Sequence, residues 1–302
     1  MDVVDLVGVG HSCQDYLCIV EDYPPEDGST RITDMQMQGG GAVATAMVAA
    51  ARLGIKGALI GNLGGDGVGD DIAAELEREG VDVSAMDRLE GTLSLSSYVM
   101  IQPERGTRTK FPRRDTMPPI RWDARQRDML RQAQIVHLDG THYVNARKAA
   151  ELAKEYGVTI SLDGCTRQPD NSRNRELASM ADILIMNAVY PASVSGKETI
   201  EEALMEMSGW GPEIVMSTAG ANGVYAVIEG KVVHYPAFAA DVVDTTGAGD
   251  VFHGAFLAAY LRGKGLEHCI RFAQYAAARK CEHIGGRRGI PNWDTVEANY
   301  LV

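Results

Sequence analysis

The run Asp244-Thr245-Thr246-Gly247-Ala248-Gly249-Asp250 holds the residues with most chemical content, and Val251-Phe252-His253-Gly254-Ala255-Phe256-Leu257-Ala258-Ala259-Tyr260-Leu261 follows it. The second part is apolar nearly all the way round, which is the pattern of a helix buried in the protein. The glycine turn is then that helix's N-terminus. Small residues let backbone N–H groups come close to a ligand, and the unsatisfied amides together with the helix dipole attract phosphate oxygens. Asp250 falls in the first turn beside this anion hole. A carboxylate with an ordinary pKa of roughly 4 is ionised at neutral pH and can take the proton of a hydroxyl that attacks phosphorus. An anion hole next to a base is what phosphoryl transfer to an alcohol requires. Standing alone, a Gly-Ala-Gly-Asp is more often only a helix cap, because acidic residues are common at helix starts.

The elements that must position this run follow a repeated rhythm of short apolar run, turn and longer helical pattern. Strands are expected at Val3–Val9, Ala58–Ile60, Ile135–Leu138, Val158–Leu162 and Ile183–Met186. Helices are expected over about Val43–Leu53, Asp70–Glu79, Val144–Tyr156 and Asn171–Met180. Continuous apolar strands joined by helices suit a mainly parallel sheet buried on both faces, an α/β/α sandwich. Two stretches break the rhythm, Tyr16–Gln38 and Thr92–Phe111, where Leu93, Leu95, Val99 and Ile101 alternate with polar neighbours and Glu104-Arg105-Gly106 offers a hairpin turn. Both read as small antiparallel strands, either projecting as a lid or forming an edge of the main sheet.

Composition narrows the possible partners. The 302 residues are 45% apolar and 23% charged, enough for a sizeable core and unlike a disordered chain. The net charge of −12 excludes a broad basic surface for nucleic acid or an anionic membrane, so any phosphate must be held at one local site. There is no apolar run of membrane-spanning length, and the acidic start Met1–Asp5 is unlike a secretory leader, so a cytoplasmic protein is expected. The five cysteines, Cys13, Cys18, Cys165, Cys269 and Cys281, are odd in number and scattered, and they read as reduced thiols. The 33 glycines exceed the average share and should mark turns and close backbone approach.

Asp244–Asp250 resembles the C-terminal signature of the ribokinase-like (PfkB) family of carbohydrate and nucleoside kinases, and other landmarks of that family fall in order along nearly the whole chain. Gly10 with Asp15, Gly39-Gly40-Gly41 with Ala51-Arg52-Leu53-Gly54, Gly61–Gly69, Thr218–Gly223, and Ala277–Cys281 leading to Gly285-Gly286 are all similar to family segments. The resemblance implies a single kinase domain over 1–302, a three-layer α/β/α sandwich, with a small β-sheet lid from about 12–38 and 92–112. It implies Asp250 as catalytic base and Gly247, Ala248 and Gly249 as the anion hole. Asp15, Gly40, Gly41 and Thr45 would face the sugar with Asp250, and Asn187, Thr218, Gly220, Gly223, Gly249 and Ala277 would face the nucleotide; His142, which follows a strand's C-terminal end where ligands of such sheets bind, reads either as a further sugar contact or as a surface loop histidine. ATP and Mg²⁺ are the implied cofactors. Asp244 and the Thr246 carbonyl correspond to positions that hold a potassium ion in many members. A homodimer through the β lid is a further expectation.

Two positions depart from the family pattern. Thr45 stands where an asparagine is usual, and Asn187-Ala188-Val189-Tyr190 lacks the carboxylate of the family's Asn-x-x-Glu, so Mg²⁺ would be held mainly by the nucleotide phosphates, an ion that needs few protein ligands. The run Val242–Ala255, Gly39–Ala46 and Gly285–Pro291 look most like a bacterial branch that includes sulfofructose kinases. These segments do not identify the sugar. An anionic substrate would need a cation facing Asp15, drawn from Arg31, Arg105, Arg108, Lys110, Arg113 and Arg114, although charged lid residues usually stay solvated.

The leading expectation is an ATP-dependent kinase acting on a primary hydroxyl of a monosaccharide or sugar derivative. A nucleoside kinase is the nearest competitor, with Tyr16, Tyr23, Tyr98 and Phe111 as the lid's aromatic residues. A non-catalytic sugar-binding regulator is the alternative of another class, kept open by Tyr190 and opposed by Asp15 and Asp250. A dinucleotide-dependent dehydrogenase lacks its fingerprint at Gly8–Cys13 and Gly65–Asp70, and no Gly-x-x-x-x-Gly-Lys-Ser/Thr is present.

Overall fold

A computed structural model describes residues 4–105, 107–165 and 171–301. In chain order the elements are β1 (Leu6–Val9), β2 (Cys13–Val20), β3 (Ile32–Gly40), α1 (Ala42–Arg52), β4 (Gly57–Gly64), α2 (Gly67–Arg78), β5 (Val81–Leu89), β6 (Ser96–Gln102), β7 (Thr107–Arg113), α3 (Ala124–Gln132), β8 (Ile135–Asp139), α4 (Tyr143–Tyr156), β9 (Thr159–Gly164), α5 (Asn171–Met180), β10 (Ile183–Asn187), α6 (Tyr190–Ser195), α7 (Ile200–Ser208), β11 (Ile214–Thr218), β12 (Val224–Ile228), β13 (Lys231–Tyr235), α8 (Ala248–Leu261), α9 (Leu266–Lys280) and α10 (Trp293–Glu297).

Nine strands form the main sheet in the order β13-β12-β11-β10-β9-β8-β1-β4-β5. Neighbours from β11 to β5 run parallel, and β12 and β13 join antiparallel at one edge. The strands read as unbroken apolar runs because both faces are covered. Leu6, Leu59, Ile135, Ile183 and Met216 pack with α1, α8 and α9, whereas their neighbours Val7, Ala58, Val136, Leu184 and Val215 pack with α4 and α7. Helix α8 is buried from Val251 to Ala259, as its composition predicts. Gly254 makes this packing possible, because a Cβ there would collide with the Ala46 carbonyl of α1. Among the described residues no helix is long and apolar enough to cross a membrane.

The two irregular stretches form a second, separate sheet in the order β3-β2-β6-β7 rather than an edge of the first. One expectation needs correction. The pairs β2–β3 and β6–β7 are antiparallel, but β2 and β6 run parallel, since the chain passes through α1, β4, α2 and β5 between them. Leu93 and Leu95 precede the strand, which begins at Ser96. The hairpin turn is a single 3-10 turn over Pro103–Arg105, and Gly106 lies outside the described residues, as does Val3 of the first strand. Helix α2 starts three residues earlier than its apolar pattern suggests, because the Asp66 side chain caps it by accepting from the Gly69 N–H at 3.0 Å.

Register partners share a face of the second sheet. Asp15, Gln38 and Ser97 lie on one face with Leu17, Val99 and Lys110, and Tyr16, Met37, Tyr98 and Phe111 lie on the other. Leu17 and Val99 are buried, so the first face is turned toward the body of the protein, and the second is largely exposed.

Candidate active site

The C-terminal ends of the parallel strands carry the polar residues. Along the sheet these are Thr218 on β11, Asn187 on β10, Asp163 on β9, Asp139 on β8, Gly10 just beyond β1, and Asn62 on β4. In open α/β sheets this edge is where ligands bind, and β1 between β8 and β4 is its switch point.

The N-terminus of α8 faces this edge. Gly247 takes φ +75°, and a Cβ there would sit 2.7 Å from the Gly286 carbonyl oxygen, so only glycine forms this turn. No side chain caps the helix, which leaves first-turn amides for an anion. The loop leading in is clamped by Asp244. Its Oδ1 accepts from the Thr246 N–H (2.9 Å) and hydroxyl (2.7 Å), and its Oδ2 accepts from the Gly285 N–H at 2.8 Å. Burial alone would raise its pKa, but these donors hold the Asp244 carboxyl below the usual range.

Asp250 sits half-buried in the first turn of α8. Burial, and next the neighbouring Asp163, push its pKa up to about 7, while His253 and Lys110 oppose the shift. A base titrating near neutrality is well matched to proton transfer at physiological pH. Asp163 pairs in register with Asp139 at the ends of β9 and β8. The His253 Nε2 lies 3.3 Å from Asp163 Oδ1, with both side chains buried. His253 is thus a packed helix residue, and its packing partner is the acid beneath the base. Behind it, the His137 ring lies tilted at 5.1 Å from the His253 ring and exchanges a hydrogen bond with Ser161 at 3.1 Å; burial lowers its pKa to about 3.

Where the sequence expects the sugar, Asp15 and Gly40 are brought together so closely that a Cβ at Gly40 would collide with Asp15 Oδ2. Burial raises the Asp15 pKa, and Lys110, His11 and Arg287 oppose this. Thr45 is 1% exposed on α1 and takes no part in the open surface, and its hydroxyl accepts from Arg287 Nε at 3.4 Å. Arg287, itself 3% exposed, also donates to the Gly40 carbonyl (3.1 Å) and pairs with Glu75 at 2.9 Å. His142 lines a small cavity of about 30 Å³ with Gly10, Ser12, Gly61, Asn62 and Asp115, and its Nε2 lies 3.3 Å from Asp115, which raises its pKa. The lid cations separate by partner: Arg105 pairs with Asp22, Arg108 with Asp244 and Arg113 with Asp66. Lys110 acts on both Asp15 and Asp250.

Among the residues expected to face a nucleotide, Asn187 and Thr218 are register partners at adjacent strand ends. Gly220 and Gly223 bracket the 3-10 turn after β11, and Gly223 packs directly on the Tyr235 carbonyl, which itself demands a glycine. Ala277 lies on α9, whose C-terminal Cys281 carbonyl accepts from the Val243 and Asp244 N–H groups at 2.8 and 3.0 Å. Tyr190 does not face this edge: it is buried, and its hydroxyl donates to the Asn174 carbonyl at 3.2 Å. Among the described residues no group of three or more His, Cys, Asp or Glu could cage a metal ion.

Asp163 belongs to this region without a motif to mark it, and Arg287 and Lys280 lie inside the Gly285–Pro291 and Ala277–Cys281 segments without having been singled out there. Their sequence signal is only a charged residue embedded in an apolar or glycine-rich run, which the fold turns inward.

The sequence profile described as "pfkB family carbohydrate kinase" matches residues 4–293. The chain is 31% identical to a nucleoside kinase of Methanothermobacter thermautotrophicus, over 97% of this chain and 94% of that protein. It is 30% identical to a ribokinase of Haemophilus influenzae, over 85% of each. A ribokinase structure from Arabidopsis thaliana, in complex with ribose and ATP, superposes with a TM-score of 0.88 at 27% identity, covering 99% of both chains.

Proposed function

Because the chain belongs to the pfkB family of carbohydrate kinases, we propose that it moves the γ-phosphate of ATP onto a primary hydroxyl of a monosaccharide or sugar derivative. The observation that carries this reading is Asp250, with a pKa near 7, in the uncapped first turn of α8. Asp250 takes the proton of the attacking hydroxyl. The amides of Gly247, Ala248 and Gly249 bear the charge that develops on the transferring phosphoryl group. Asp15, Gly40 and Gly41 hold sugar hydroxyls, with His142 at the rim. Thr45 serves them indirectly, through Arg287. Asn187, Thr218, Gly220, Gly223 and Ala277 line the nucleotide side, and Mg²⁺ arrives with the ATP phosphates. The second sheet acts as a lid that excludes water, so the phosphate goes to the sugar rather than to hydrolysis.

A sugar is favoured over a nucleoside by the placement of the lid's aromatic residues. Tyr16 stacks on Tyr98 with ring centroids 4.8 Å apart, and both share the outer face with Phe111, on the side opposite Asp15. These three rings are thus turned away from the side on which a base would lie beside Asp15. A substrate panel tests the choice: ketoses, aldoses, sugar phosphates, a sulfosugar and nucleosides, each with ATP–Mg²⁺. The highest kcat/KM is expected for a sugar, and a nucleoside ahead of every sugar would reverse the reading. The outer face, with Met37 62% and Phe111 55% exposed, is the natural seat for the same face of a second copy.

A further inference from the structure

Lys280 ends α9 with its side chain 0% exposed, and its Nζ donates to the Asp244 carbonyl at 2.8 Å. Lysine is almost never fully buried, because an ammonium leaves water at a high cost unless something compensates it. A second cation approaches the same residue from the lid: Arg108 Nη1 lies 3.2 Å from Asp244 Oδ1 and 2.6 Å from the Thr246 hydroxyl. The loop that builds the anion hole is thus held by two fixed positive charges of the chain itself.

The resemblance noted in the sequence places a potassium ion at Asp244 and the Thr246 carbonyl, and Asp244 as it stands here does not fit one. A potassium ion needs a shell of oxygens to replace its water. Here the Asp244 carbonyl already accepts from an ammonium, and its carboxylate is engaged by Thr246, Gly285 and Arg108. A free cation would also sit beside buried like charge, where repulsion is poorly screened.

We propose that the Lys280 ammonium is the resident cation of the Asp244–Asp250 loop, so that phosphoryl transfer needs no monovalent metal ion. Lys280 fixes the Asp244 carbonyl, Asp244 fixes Thr246 and Gly285, and the turn at Gly247 stays aimed at the phosphate. Lys280 is a positioning residue, acting through Asp244.

The activity readout rests on the kinase reading; the melting temperature does not. Wild-type protein is compared in KCl and in tetramethylammonium chloride at equal ionic strength. Initial rate and the KM for ATP are expected to agree within about twofold, and the melting temperatures to coincide. In the variant Lys280→Met, kcat/KM for ATP is expected to fall by about tenfold or more in tetramethylammonium and to recover in part with KCl. The proposal is overturned if KCl both accelerates the wild type more than about tenfold and raises its melting temperature, or if Lys280→Met is indifferent in both salts. Should the variant not fold, the two wild-type comparisons still decide. Absence of turnover on every acceptor in both salts would instead remove the kinase reading, while the melting temperatures would still report on the cation.

Discussion

At the scale of single residues, the account turns on Asp250. Its pKa near 7 predicts that kcat/KM falls about tenfold per pH unit below neutrality and levels off above it, because the base must be ionised to accept the proton. A pH–rate profile between pH 5 and 9 checks this. The same shift bears on stability. A carboxyl whose pKa is raised by folding favours the fold while protonated; that contribution is complete below the unfolded value of roughly 4 and is lost as pH rises through about 7. Asp250→Asn should therefore be more stable than the wild type at pH 8, by at most about 4 kcal/mol, and equal to it near pH 4, as read by urea denaturation. Replacing Asp163 by Asn removes the like charge beneath the base and should move the acid limb of the rate profile to lower pH. Asp250 was legible in the sequence because glycines and a buried helix surround it. Asp163 was not, since only the register of β8 against β9 brings it under α8.

At the scale of elements, α8 is the part whose placement matters most. Gly254 allows α1 and α8 to approach until Ala46 touches the helix, so Gly254→Val should force them apart and lower stability by about 1–3 kcal/mol or more in denaturant titration. Arg287 ties the glycine strand end to α2 through Gly40 and Glu75. Arg287→Met leaves the Glu75 carboxylate without its cation, with only the Gly39 N–H still donating to it, and should cost up to about 3–5 kcal/mol, together with a raised KM for the sugar and little change in the KM for ATP. The helices and parallel strands were legible from apolar runs and their lengths. The parallel pairing of β2 with β6 was not, because strand direction within the second sheet depends on five intervening elements rather than on any local pattern. Thr45 shows the same limit: its place in the motif suggested the sugar, but Arg287, distant in sequence, covers it.

At the scale of the whole molecule, two sheets divide the work. The main sheet presents its strand ends and α8, and the second sheet sets Asp15 and Lys110 opposite them. The outer face of the second sheet, with Met35, Met37, Tyr98 and Phe111 exposed, predicts a dimer that Phe111→Glu converts to a monomer in sedimentation velocity. The overall net charge of −12 is compatible with the proposed phosphate chemistry because the candidate anion site offers backbone amides, steadied by the buried Lys280, rather than a basic surface. The central claim is that Asp250 takes the proton when phosphate passes to a sugar hydroxyl. Its most direct test follows phosphorus by NMR in mixtures of ATP–Mg²⁺ with the preferred sugar of the panel, using wild-type protein and Asp250→Asn, with ATP affinity of both measured by calorimetry. The wild type is predicted to yield a sugar phosphomonoester and ADP, and Asp250→Asn to bind ATP with similar affinity while forming product at least about 100-fold more slowly. Product formation by Asp250→Asn at near the wild-type rate would contradict the account.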